Sequence, residues 1–197
     1  MGYYVRVLGT SDPNIHLDEL ISCIAANGFE TRLLLGDNGT PLDWTVIQVA
    51  DANDNVFMQI ERNQVADGEL GEEELNQFRD EVRDCKPASA AKWLEKFFNN
   101  VKVIYAFQLL NGSMEEENFA VVEAIRKTIW NRVGGILQAD REGFSNEEGH
   151  HILWQFDDKV TGPWNMAVKT MFGGWRTFTM DLGNPAHREA FFRGKAP

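Results

Sequence analysis

The stretch KVIYAFQLLNGSMEEENFAVVEAIRKTIWNRVGGILQADREGFSNEEGHHILWQF, residues 102–156, carries the clearest structural signals in the chain, and the fold class follows from it. Val103 to Leu110 is an almost unbroken apolar run, the pattern of a strand covered on both faces. Asn111-Gly112 interrupts it as a turn, and Ser113 and Glu116 stand at capping-box spacing. Phe119, Val122, Ile125, Ile129 and Val133 then recur at helical period. Gly134-Gly135 stops that helix, because glycine enters the left-handed conformation of a helix C-terminus without a steric penalty. Ile136 to Asp140 and His151 to Phe156 read as the two strands of a hairpin closed by REGFSNEEG.

Working outward, the upstream chain repeats this order. Tyr3 to Leu8 is a strand, Asp12 and Pro13 suit a helix start, and Leu17, Leu20, Ile21 and Ile24 form one helical face that ends before Gly28. Thr31 to Leu35, Trp44 to Ala50 and Val56 to Ile60 are strands, the last two joined across Asp51 to Asn55. Leu75, Phe78 and Val82 keep a helical stripe through the acidic stretch Asp67 to Asp84, Pro87 breaks it, and Ser89 caps a helix carrying Leu94, Phe97, Phe98 and Val101. Downstream, Arg176 to Leu182 is a strand, and Asn184-Pro185 caps a last helix that turns Ala186, Ala190 and Phe191 inward. The expected class is α+β: two similar strand-helix-hairpin modules with antiparallel or mixed sheets and helices packed on one side. The modules span residues 1–86 and 87–197, with the boundary near Pro87, and the pattern also fits a single compact domain.

Composition narrows what such a fold does. With 43% hydrophobic and 11% aromatic residues, 197 residues suffice for a substantial core. Thirty acidic against nineteen basic residues give a net charge of −11, a field that repels polyphosphate, so nucleic acid is not an expected partner. Charge is uneven, since residues 159–197 hold six basic and two acidic side chains. Cys23 and Cys85 follow no metal or redox spacing, and MGYYVRVLGT has neither a basic n-region nor an apolar core, which together point to reduced thiols in the cytoplasm. No apolar run approaches the roughly eighteen residues of a spanning helix, and Arg6 stands where a myristoylation signal has Ser or Thr, so no membrane partner is expected. Asn38-Gly39-Thr40 and Asn111-Gly112-Ser113 are turn signals.

The segment Asp140 to His151 gathers Asp140, Glu142, Glu147, Glu148, His150 and His151, but adjacent histidines on a strand point to opposite faces and do not share an ion. As a calcium loop it has Ser145 where Gly is required and His151 where the bidentate Glu belongs. Gly143-Phe144-Ser145-Asn146-Glu147 lacks the second glycine of a nucleophile elbow and lies between strands. Gly9-Thr10-Ser11 and Asn111-Gly112-Ser113 lead from strand to helix, yet Asp12 and Glu115 to Glu117 crowd the positions a phosphate would take. No catalytic residue, metal ligand or cofactor-binding motif is therefore assigned. Most of the six tryptophans are expected in the core, whereas Trp164 and Trp175 lie in TGPWNMAVKTMFGGW, which has no periodicity and reads as a loop closing over a pocket beside Glu142, Phe144 and Trp154.

The expectation is a non-enzymatic intracellular protein that acts through a basic protein partner, in the manner of an immunity or antitoxin protein. The acidic helix face at Glu72, Glu73 and Glu74 is its candidate contact. Two alternatives stand beside it: a small-molecule module with a pocket between the halves, and an enzyme using carboxylates and His of residues 140–158.

Overall fold

The fold, a computed structural model, describes residues 2–37, 39–157 and 159–197, so Asn38 of the first Asn-Gly signal lies outside the described residues. The chain runs β1 (Tyr3–Gly9), α1 (Leu17–Ala26), β2 (Arg32–Leu35), β3 (Val46–Ala50), β4 (Val56–Gln64), α2 (Leu70–Val82), α3 (Ala88–Phe97), β5 (Val103–Leu109), α4 (Glu116–Val133), β6 (Ile136–Ala139), β7 (Gly143–Ser145), β8 (Pro163–Lys169), β9 (Trp175–Asp181) and α5 (Pro185–Phe192). Seven strands form one sheet in the order β2-β3-β4-β5-β1-β6-β7, and β8 and β9 pair separately. Every strand pairing in both is antiparallel. The class is α+β.

The apolar runs of β1 and β5 place both strands at the centre, where they pair from Tyr3 opposite Leu109 to Gly9 opposite Val103. Side chains alternate across the sheet. Val5, Val7, Val103, Tyr105 and Phe107 meet α1 and α4 on one face. Leu8, Ile104, Ile136 and Phe144 meet α2 and α3 on the other. Helices thus cover both faces, not the one side expected: β5 is apolar at successive positions and would expose half of its residues if only one face were packed. The halves also differ in strand order. After α1 the strands run from the sheet edge inward, β2 to β4, while after α4 they run outward, β6 to β7. Both partners of β1 come from beyond Pro87, and β4 and β1 flank β5, so the expected module boundary falls within the connections of one sheet.

Several local expectations shift. Asp12 does not cap α1, which begins after His16; its carboxylate instead takes two donors of Arg62 on β4, at 2.8 to 3.1 Å. The hairpin partner of β6 is Gly143–Ser145, inside the expected turn, and His151 to Phe156 contributes only isolated bridges at His151 and Trp154. The tight β6–β7 turn is possible because Arg141 (φ 64°) and Gly143 (φ 92°) adopt left-handed backbone. The segment read as loop between Pro163 and Lys169 is strand β8, paired along its whole length with β9. Its burial is irregular, exposed at Pro163 and closed at Met166 to Val168, which is why no period of two marks it. Asn184 caps α5 as expected, accepting from the Ala186 amide at 2.9 Å with Pro185 in the first turn.

Candidate functional site

Alternation along three neighbouring strands builds a groove on the α4 face of the sheet. Val5 of β1, Leu137 and Ala139 of β6 and Leu109 of β5 form its floor, and Val122 of α4 closes one side; the cavity measures about 1000 Å³. Polar groups stand along its walls: Tyr3, Glu123, Arg126, Glu142, Ser145 and His151. Arg126 and Glu123 lie on one side of α4 at i,i+3 spacing and pair at 2.5 Å. The buried Arg126 Nε has no hydrogen-bond partner among the described residues. Burial, and then the Glu142 carboxylate beside it, push the Tyr3 phenol well above its ordinary pKa, so it remains a neutral donor. At the mouth, Met114 is 73% and Phe119 40% exposed, and the Glu115, Glu116 and Glu117 between them are exposed as well.

Ser145 and His151 meet inside the groove, with Ser145 Oγ 3.4 Å from His151 Nδ1. The imidazole ring packs against Trp164 and Phe156, at centroid distances of 4.9 and 5.2 Å. Burial, reinforced by neighbouring His150, lowers the His151 pKa to about 4. Such a ring is neutral at physiological pH and a weak proton acceptor. Among the described residues no carboxylate bonds to it to stabilise an imidazolium. The geometry suits a hydrogen-bonding wall better than an activated nucleophile.

This histidine links stability to pH. The unfolded chain binds its proton near 6.5 and the folded chain only near 4, so its contribution is complete above about pH 6.5 and is lost as pH falls toward 4. The expected loss is about 2–3 kcal/mol across that interval. Urea unfolding of wild type and His151→Gln at pH 7 and pH 4.5 measures it; the variant should lack most of the wild-type decline.

The five residues expected to share a binding surface separate. Glu142 lines the groove. Phe144 is buried on the opposite face against Phe78 and Phe98, because adjacent residues on β7 point opposite ways. Trp164 supports the groove from behind by packing on His151. Trp154 packs with Phe156, Phe191 and Phe192. Trp175 lies against Trp93, its indole N–H 3.3 Å from Glu147. The acidic trio on α2 is also divided: Glu72 accepts from the Gly68 amide at 3.1 Å, Glu74 pairs with Arg6 at 2.5 Å, and Glu73 is exposed. Successive helical residues are about 100° apart, so three in a row do not make one face. No cluster of three or more His, Cys, Asp or Glu side chains arranged for a metal ion occurs among the described residues.

Tyr3, Glu123 and Arg126 were not singled out from the sequence. Tyr3 reads as a strand residue and Arg126 as one more cation on the polar side of a helix; only the Glu123–Arg126 spacing was visible, and that spacing is common on solvated helices. Comparison with protein families, with curated proteins and with solved structures returns no match.

Proposed function

We propose that the chain is a non-enzymatic binding module that receives a segment of a basic protein partner in the groove between α4 and the β1–β6–β7 end of the sheet. Its mouth carries the proposal: two exposed apolar side chains, Met114 and Phe119, line the groove over an apolar floor together with the carboxylates of Glu123 and Glu142, and the exposed Glu115, Glu116 and Glu117 lie between the two apolar residues in the chain. Apolar contact area inside a charged collar is the usual anatomy of a protein contact, and the collar's sign selects a cationic partner. This moves the acidic contact from α2 to the start of α4. A partner of this charge is what an immunity or antitoxin protein neutralises, and the free thiols of Cys23 and Cys85 suit the cytoplasm. No helix among the described residues is long and apolar enough to cross a membrane.

The test is titration of the ¹⁵N-labelled protein with a capped Arg-Phe-Lys peptide and, in parallel, with capped Glu-Phe-Glu. The basic peptide should shift amides of the groove, and Phe119→Ser combined with Glu116→Gln should weaken it about tenfold. Equal binding of the acidic peptide, or shifts that map away from α4 and β6, would refute the assignment. A second reading, a small amphiphilic ligand, is favoured by the volume, which sits at the upper end of about 300–1,000 Å³ for small-molecule sites. Stabilisation by compounds from a ligand panel, with no response to either peptide, would favour it.

A further inference from the structure

The groove has a counterpart on the same chain. The β8–β9 hairpin ends in a closed tip: the Thr170 amide donates to Gly174 O at 2.9 Å, the Gly173 amide to Thr170 O at 3.1 Å, and Lys169 Nζ to Gly173 O at 2.8 Å. The Lys169 ammonium also lies 3.9 Å from the Trp175 ring centroid and 4.8 Å from that of Trp93 on α3. The hairpin is held at its neck against the body, and its tip needs little further ordering to make a contact. At that tip Met171 and Phe172 are each 96% exposed, the most open large apolar side chains among the described residues. Adjacent exposed apolar side chains on a fixed turn mark an interaction site. Lys169 and Arg176 flank the tip, within the segment where basic residues outnumber acidic ones six to two, and the carboxylate of Glu147 stands at its neck beside Trp175.

We infer that the occupant of the groove is a second copy of this chain, each protomer inserting its Met171–Phe172 tip into the acidic-rimmed groove of the other. The inference rests on the groove being a protein-binding site, and it names the partner. Tip and groove match in chemistry: two apolar side chains between cations on one, and on the other an apolar floor with Met114 and Phe119 at its mouth, where the Glu123 and Glu142 carboxylates outnumber the single Arg126. They also match in sign within a chain whose net charge of −11 would otherwise keep copies apart. A two-fold pair makes the contact twice and closes at two copies. A buried Phe covers about 150–250 Å², so two tips with the surfaces beneath them come near the roughly 1,000 Å² lower bound of specific interfaces, and the dimer is expected to be transient.

Sedimentation velocity on the full chain, from low to high micromolar concentration, tests this. Wild type should shift toward dimer as concentration rises. Met171→Ser with Phe172→Ser should weaken association at least tenfold, and Phe119→Asp on the groove rim should do the same. The tip variant keeps its groove and the groove variant its tip, so a mixture of the two should associate more strongly than either alone. All three substituted positions, Met171, Phe172 and Phe119, are exposed, and unchanged thermal melts establish that the variants fold. A monomer at every concentration, or a dimer indifferent to the tip substitutions, overturns the proposal. If the chain is monomeric while the Arg-Phe-Lys peptide still binds the groove, only the identity of the partner is wrong; if neither occurs, the groove assignment falls as well.

Discussion

Gly135→Ala is expected to cost about 4 kcal/mol, read as a lowered denaturant midpoint with a wild-type slope. Two effects coincide at this residue. Its φ of 88° lies where an L side chain is strained, and an added Cβ would stand 1.9 Å from the Leu8 carbonyl oxygen, a backbone atom in the central strand β1. A flexible neighbour would move aside; Leu8 is paired with both β5 and β6 and does not. Gly134→Ala serves as the control. Its φ of 66° and ψ of −159° also lie in a region that L side chains avoid, but its added Cβ meets only the Thr10 hydroxyl at 3.4 Å, so it should cost about 1–3 kcal/mol of backbone strain alone. Equal losses at the two sites would show that the close approach of α4's end to β1 is not what requires glycine.

The other large effect is expected at Arg6. This side chain crosses from β1 to the α2 face, where it donates to Glu74 at 2.5 Å, to Asp140 at 2.7 Å and to Gln138 at 2.7 Å, with its guanidinium 4.9 Å from the Tyr4 ring centroid. Arg6→Ala would leave two carboxylates facing each other in a half-closed space and should lower stability by about 3 kcal/mol. The sign of the accompanying pH effect follows from Glu81, whose carboxyl is pushed up by burial and by the nearby Asp140 and Glu74 and held down by Arg6. Without the arginine it rises further, so the deficit of Arg6→Ala should shrink as pH falls toward 4. Arg6→Lys retains the charge but offers no planar fork, and should recover only part of the loss. Chemical denaturation of the three proteins at pH 7 and pH 4.5 provides the measurement; a deficit independent of pH would mean that the arginine contributes packing rather than ion pairing.

Residues 102–156 illustrate what is legible in a single sequence. The run Val103 to Leu109 marked the central strand, the spacing from Val122 to Val133 marked α4, and Gly134-Gly135 marked its end, each because one local rule dominates. Phe119 fits the same helical stripe yet is exposed, since α4 overhangs the groove at that end instead of resting on the sheet. Ser145 and His151 could be seen, but their encounter depends on β7 folding back after only three turn residues, which the apolar stretch His151 to Phe156 disguised by resembling a strand. Tyr3 and Arg126 carry no local signal: Tyr3 meets Glu142, and both share a groove with Arg126, only because β1 is inserted between β5 and β6, and strand order is set by packing across the whole chain.

That insertion has a consequence for synthesis. As the chain leaves the ribosome, β1 emerges well before its neighbours, both of which lie beyond residue 102, and β4 likewise waits for β5 on one side. Until β5 is out, the nascent chain carries an apolar strand with two open edges, and until β6 follows one edge stays open, the state most prone to pairing with other chains. β1 is paired on both sides only after Ile136–Ala139 has been made, so its place in the sheet is committed late and by long-range contacts, which places this topology among the slow-folding, chaperone-exposed ones.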